Sequence, residues 1–143
     1  MGNRNAAQVF ALVAGAAYAG LGVIGFVVTG FGGVVQQGPD SLIGFDLNPF
    51  HNVFHFVVGI GFLVASRLDA TITQGIIIGG GLVYVLATLL GFLNELQILS
   101  IDDSVAPINF LHLVSGSAAI LFGLIGARQT DALATSRTRR AGA

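Results

Sequence analysis

The stretch G75-I-I-I-G-G-G-L-V-Y-V-L-A-T-L-L-G-F-L93 runs for 19 residues without a charged side chain. Crossing about 30 Å of hydrocarbon takes roughly 20 helical residues, so this segment reads as a membrane span. Three segments of the same character surround it: Val9 to Thr29, Pro49 to about Ser66, and Pro107 to about Ala127. Only 9% of the 143 residues are charged, against about 25% in soluble domains. The fold class that follows is all-α, a polytopic membrane protein with a four-transmembrane-helix bundle over residues 1–130. The spans lie at about 9–29, 49–66, 75–93 and 107–127. A polar, small-residue-rich and mobile tail, residues 131–143, carries three arginines toward anionic headgroups. The first span is longer than the apolar region of a signal peptide and is kept as a span.

Working outward, the connections set the orientation. Arg4, Arg67, Arg128, Arg137, Arg139 and Arg140 flank the spans on one side; the other two connections hold Asp40, Asp46, Asp102 and Asp103 and no basic residue. Basic loops stay in the cytoplasm, so both termini are expected there, in a bacterial cytoplasmic membrane. The Gly-rich outer connection after span 1, with Leu42, Ile43 and Phe45, is placed at the membrane surface or folded back over the bundle. The short connection at Arg67 makes spans 2 and 3 antiparallel neighbours. Matched spacings suggest a parallel internal repeat of spans 1–2 and 3–4. Gly15, Tyr18 and Gly25-Phe26 repeat as Gly81, Tyr84 and Gly91-Phe92, and spans 2 and 4 each run from an Asn-x-x-His to an Arg.

Composition removes several chemistries. There is no cysteine, so neither a disulfide framework nor a thiolate metal site exists. There is no lysine, which excludes Schiff-base catalysis, and a net charge of −1 gives no reason to expect nucleic acid as a partner. Ser115 and Ser117 have no His–Asp relay to activate them, and Gly79-Gly80-Gly81 lacks the strand-to-helix context of a phosphate loop. No catalytic residue is assigned.

The polar residues inside the spans carry what function the sequence expresses. N48-P-F-H-N-V-F-H-F-V-V-G59 stacks two copies of Asn-x-x-His, and N109-F-L-H112 supplies a third. Asn48, His51, Asn52, His55 and Gly59 share one helical face, as do Asn109, His112 and Gly116. Polar side chains facing lipid are costly, so both stripes should face the bundle interior. Gly59 and Gly116 allow close helix packing beneath them. Two registers remain open, one pairing His112 with His55 and one pairing it with His51.

This doubled Asn-x-x-His-x-x-x-Gly pattern resembles a family of small four-span membrane proteins common in actinobacteria and catalogued only as a domain of unknown function. The resemblance runs from about Gln8 to Arg128 and implies a four-helix inner-membrane protein. A looser similarity is to DoxX-like four-span proteins, some linked to quinone or thiol redox chemistry; no motif here carries that chemistry over.

Three accounts of the cluster are ordered by how much they require. In the first, Asn48, Asn52 and Asn109 hydrogen-bond the histidines across helices 2 and 4 and fix the bundle's register; Asn48 before Pro49 is also an N-cap. In the second, His51, His55 and His112 bind Zn or Cu, with Glu95 or Asp103 as a fourth ligand. In the third, His55 and His112 ligate haem b. The leading function is an accessory, interaction or small binding protein without catalytic machinery. It sits in the lipid bilayer, as a homo-oligomer or a subunit of a larger membrane complex. The alternative is a metal- or haem-binding protein serving electron transfer or metal handling.

Overall fold

A computed structural model describes residues 4–36 and 40–142. Its helices are α1 (Ala6–Thr29), α2 (Pro49–Ala65), α3 (Ala70–Phe92) and α4 (Pro107–Ala141). A two-stranded antiparallel hairpin, β1 (Ser41–Leu42) and β2 (Phe45–Asp46), joins α1 to α2, and a 3-10 helix, Gln97–Leu99, lies between α3 and α4.

Local chemistry sets the helix starts. Asn5 and Gln8 form a reciprocal capping box: the Asn5 carboxamide accepts from Gln8 N–H at 2.9 Å and Gln8 Oε1 accepts from Asn5 N–H at 3.1 Å. Asn48 caps α2 by accepting from His51 N–H at 2.9 Å, with Pro49 at the first helical position. α1 and α4 contain the expected first and fourth spans, whereas α2 and α3 end one residue short of the expected limits at Ser66 and Leu93. In the tail, residues 131–141 continue α4 as an exposed helix. Ala, Leu and Arg are strong helix formers, and no Gly or Pro interrupts the run before Gly142.

The bundle buries small residues and exposes large ones. In α1 the buried positions are Ala7, Ala11, Gly15, Gly22 and Gly25, while Val13, Val23 and Val27 point outward, Val27 with 82% of its surface free. A water-soluble bundle does the reverse; helices in lipid pack through small residues and leave Val, Leu and Ile outside. Three helices, α1, α3 and α4, are long and apolar enough to cross a membrane. The 17 residues of α2 reach about 26 Å at about 1.5 Å per residue. The architecture fits a small membrane protein.

Glycine decides which helices pair. A Cβ at Gly15 would lie 2.9 Å from the Gly59 carbonyl oxygen, and one at Gly81 would lie 2.7 Å from that of Gly116. So α1 runs tightly along α2, and α3 along α4. The short turn after α2 brings α3 back beside it, but the tight pairing of α2 is with α1. Phe62 presses its ring onto Gly80 there, and α2 keeps its glycine face for α1.

Candidate metal centre

The three histidines meet at the end of the bundle opposite the termini. His51 and His55 lie one turn apart on α2, and His112 projects from the second turn of α4. Their ring centroids are 4.5 Å (51–55), 5.8 Å (51–112) and 6.3 Å (55–112) apart. One nitrogen from each ring lies within 4.8 Å of the other two. His112 meets His51 and His55 together, so ring contact alone does not choose between the two registers left open by the sequence.

A loop closes the cluster from above. Leu96, Leu99 and Ile101 are buried with Ile108 against Phe45, Phe50 and Leu90, which seats the 3-10 helix over α2. Asn48 Nδ2 donates to the Ile98 carbonyl and His51 Nδ1 bonds the Leu99 carbonyl, both at 2.9 Å. A carbonyl oxygen only accepts, so Nδ1 of His51 carries the proton. Nε2 of the neutral ring is then a bare lone pair. That atom has no partner among the described residues, nor has His112 Nδ1, and His51 is only 1% exposed. Fixing one imidazole nitrogen by a backbone carbonyl while the other is left free is how proteins orient a metal-ligating histidine.

Aromatic rings form the floor. Tyr18 stacks on His55 at 5.7 Å and on Tyr84 at 5.2 Å, and Tyr84 meets His112 edge-on at 5.2 Å. The space enclosed is about 30 Å³, lined by the three histidines with Phe54, Val83, Tyr84, Ala87 and Leu99. A second cavity of about 80 Å³, between Leu21, the hairpin and Ile108, shares His55 as part of its wall.

The other expected residues go elsewhere. Asn48, Asn52 and Asn109 are buried, but among the described residues none hydrogen-bonds a histidine ring, and the one Asn–His bond is the Asn48 cap on the His51 backbone N–H. Asn52 Nδ2 donates to Thr29 Oγ1 at 2.8 Å, and Asn109 Nδ2 donates to the Asp103 and Ser104 carbonyls at 3.2 Å. The carboxamides of Asn52 and Asn109 press onto Gly25 and Gly91, so these faces turn toward α1 and α3 while the histidines point to the centre. Gly59 and Gly116 likewise serve the α1–α2 and α3–α4 contacts rather than an approach of α2 to α4. Glu95 is exposed beyond the end of α3; Asp103 is exposed and its carboxylate accepts from Val105 N–H at 2.9 Å. Neither reaches the cluster as a fourth ligand. A haem does not fit between the rings, because 30 Å³ is far below the roughly 300 Å³ and upward that a ligand of that size occupies.

Sequence reasoning did not place Tyr18, Tyr84 or the 96–101 loop at the site. The tyrosines carried a signal, their matched position in the two half-chains one turn from a packing glycine. The loop's signal is Leu96, Ile98, Leu99 and Ile101, apolar residues interrupting an otherwise polar connection.

No curated protein and no solved structure matches the chain. Residues 8–125, which contain every histidine and both tyrosines of the site, match the family described as a domain of unknown function (DUF4383), and the chain belongs to that family.

Proposed function

We propose that this protein is a four-span protein of a bacterial cytoplasmic membrane that holds one transition-metal ion on His51, His55 and His112, and that it handles metal rather than catalysing a reaction. The observation that carries the reading is His51: a buried ring whose proton is committed to the Leu99 carbonyl, with a partnerless Nε2 beside two more imidazoles. Metal–nitrogen bonds of about 2.0–2.1 Å at tetrahedral angles put ligand nitrogens about 3.3 Å apart, so small side-chain adjustments from the present spacing close the site. Structural hydrogen bonding, which would leave no nitrogen free, is the weaker account.

Several features support the membrane arrangement. The pairing of α1 with α2 and the apolar outer surface of all four helices favour α2 as the fourth span. The arginines put both termini in the cytoplasm and the histidine end outside. A parallel repeat is supported by matched contacts: Gly15 on Gly59 and Gly81 on Gly116, Gly25 on Asn52 and Gly91 on Asn109. In that register His55 corresponds to His112 and Tyr18 to Tyr84, while His51 corresponds to Ile108 and has no counterpart. The site is then a symmetric histidine pair with one added ligand.

The test is elemental and optical analysis of protein purified from native membranes. About one metal ion per chain is expected for a site of one ion, with no Soret band, and the ion should be lost in His51→Gln and His112→Gln. Metal-free protein that also takes up none of Cu⁺, Cu²⁺ or Zn²⁺ on addition overturns the reading.

A further inference from the structure

We propose that the ion held at His51, His55 and His112 is monovalent copper, Cu⁺; this rests on the metal-centre reading and names its ligand. Three observations converge on it. The cavity presents three imidazoles and, among the described residues, no carboxylate: Glu95 and Asp103 are exposed and outside it, and the chain has no cysteine. A divalent ion bound there keeps its full charge in an enclosure of Phe, Val, Ala and Leu side chains. Because the cost of burying charge rises with its square, a monovalent ion incurs about a quarter of that penalty.

Coordination number points the same way. Zn²⁺ takes a tetrahedral fourth ligand and Cu²⁺ prefers a tetragonal set of four or more N and O donors. Cu⁺ is d¹⁰ and satisfied by two or three imidazoles in linear or trigonal arrangement. Three nitrogens converging from two helices, two on α2 and one on α4, supply that number.

Tyr84, beside the ring of Tyr18, also lines the cavity and brings a phenol side chain to its wall. A hydroxyl oxygen is a hard donor, which a divalent ion recruits more readily than Cu⁺ does. Tyr84 therefore separates the monovalent from the divalent site.

The experiment is an anaerobic titration of the full-length protein in lipid nanodiscs with Cu⁺, against a chromogenic Cu⁺ chelator, and with Zn²⁺ against a Zn²⁺ chelator. Wild type should bind one Cu⁺, with an affinity at least about 100-fold above that for Zn²⁺, and X-ray absorption at the copper edge should report three nitrogen neighbours. Tyr84→Phe should leave Cu⁺ affinity within about threefold, whereas His51→Gln, which keeps similar volume, should weaken it at least about tenfold. Stoichiometric Zn²⁺ binding that equals or exceeds Cu⁺ and collapses in Tyr84→Phe overturns the monovalent assignment and leaves the three-histidine centre standing. Binding of neither ion overturns both. An unchanged size-exclusion profile for His51→Gln, compared with wild type, assigns its loss of affinity to the ligand rather than to unfolding.

Discussion

The two ends of the bundle use polar side chains in opposite ways. At the end carrying the termini, Asn5, Gln8, Gln74, Gln129 and Thr130 join the helices through paired groups. Asn5 Nδ2 and Gln74 Nε2 both donate to Thr130 Oγ1, at 3.5 and 2.9 Å, Gln129 Oε1 accepts from Ala6 N–H at 2.9 Å, and Gln8 Nε2 donates to the Leu68 carbonyl at 2.9 Å. At the loop end lie all the buried side-chain polar atoms without partners among the described residues: His51 Nε2, Asn52 Oδ1, Tyr84 OH, Ser100 Oγ, Asn109 Oδ1 and His112 Nδ1. The non-glycine residues with positive φ, Ile43, Asn94 and Ser100, are there too. A buried polar group left unpaired costs about 1–3 kcal/mol, and strained backbone about as much. A bundle needing only adhesion had the cheaper solution available and used it at the other end. Concentrated strain and unpaired nitrogens at the loop end are what the proposed metal site would account for.

The largest effect that would sharpen this contrast is stabilisation by metal. A ligand at 100 times its Kd that binds only the folded state stabilises by about 2.7 kcal/mol. Adding metal should raise the thermal midpoint of the wild type by that free energy and leave His112→Gln unmoved. If the metal-free His112→Gln variant is instead destabilised by several kcal/mol, the histidines are adhesive after all and the two ends do the same job.

Next in size are the glycine seats. Alanine at Gly25 or Gly91 places a methyl into the carboxamide of Asn52 or Asn109, an overpacking that costs about 2 kcal/mol. Chemical unfolding should show equal losses at the two positions if the half-chains are equivalent. Metal stoichiometry should stay at one ion per chain, because these asparagines touch helices rather than histidines. Markedly unequal losses would argue against the repeat.

Thr130→Val breaks the opposite end. It removes the acceptor shared by Asn5 and Gln74 and the bond donated to the Gly126 carbonyl at 3.1 Å. Interhelical hydrogen bonds in membranes average about 0.6 kcal/mol each, so the expected loss is about 1 kcal/mol, with metal affinity untouched. A change in metal binding would show that the ends communicate along α4.

The convergence of His51, His55 and His112 is legible in the sequence because two simple rules meet there: helical periodicity puts His51 and His55 on one face, and the cost of polar groups in lipid turns that face inward. The helix partners are not legible to the same degree. A glycine announces close approach without saying to whom; only the three-dimensional match of Gly15 to Gly59 and of Gly81 to Gly116 selects α1 with α2 and α3 with α4. The Asn–His pairing misled for a related reason. Residues three apart on a helix diverge by about 60°, enough for Asn52 to face α1 while His55 faces the centre. The lid over the site was hardest to see, since the Leu99 carbonyl reaches His51 only after Leu96, Ile101 and Ile108 have packed. Backbone acceptors carry no side-chain signature.

The smallest effect tests the strained hairpin. Ile43 and Gly44 form its two-residue turn with φ of 55° and 82°, the mirror-image turn that favours Asn-Gly. A β-branched residue is poorly suited to positive φ, and Ile43 is 87% exposed, so burial does not oblige an isoleucine there. Its side chain nonetheless lines the apolar cavity that shares His55 with the candidate metal centre, together with Leu42, Phe45 and Leu47. On backbone grounds alone, Ile43→Asn should stabilise the metal-free protein by about 0.5–1 kcal/mol, through relief of the left-handed conformation. Thermal unfolding in the same detergent as the wild type reads this directly. A loss instead of a gain would mean that the isoleucine side chain's contact with the cavity or with lipid outweighs the strain. The hairpin would then belong with the loop that seats His51, as a second element kept strained to enclose the histidines.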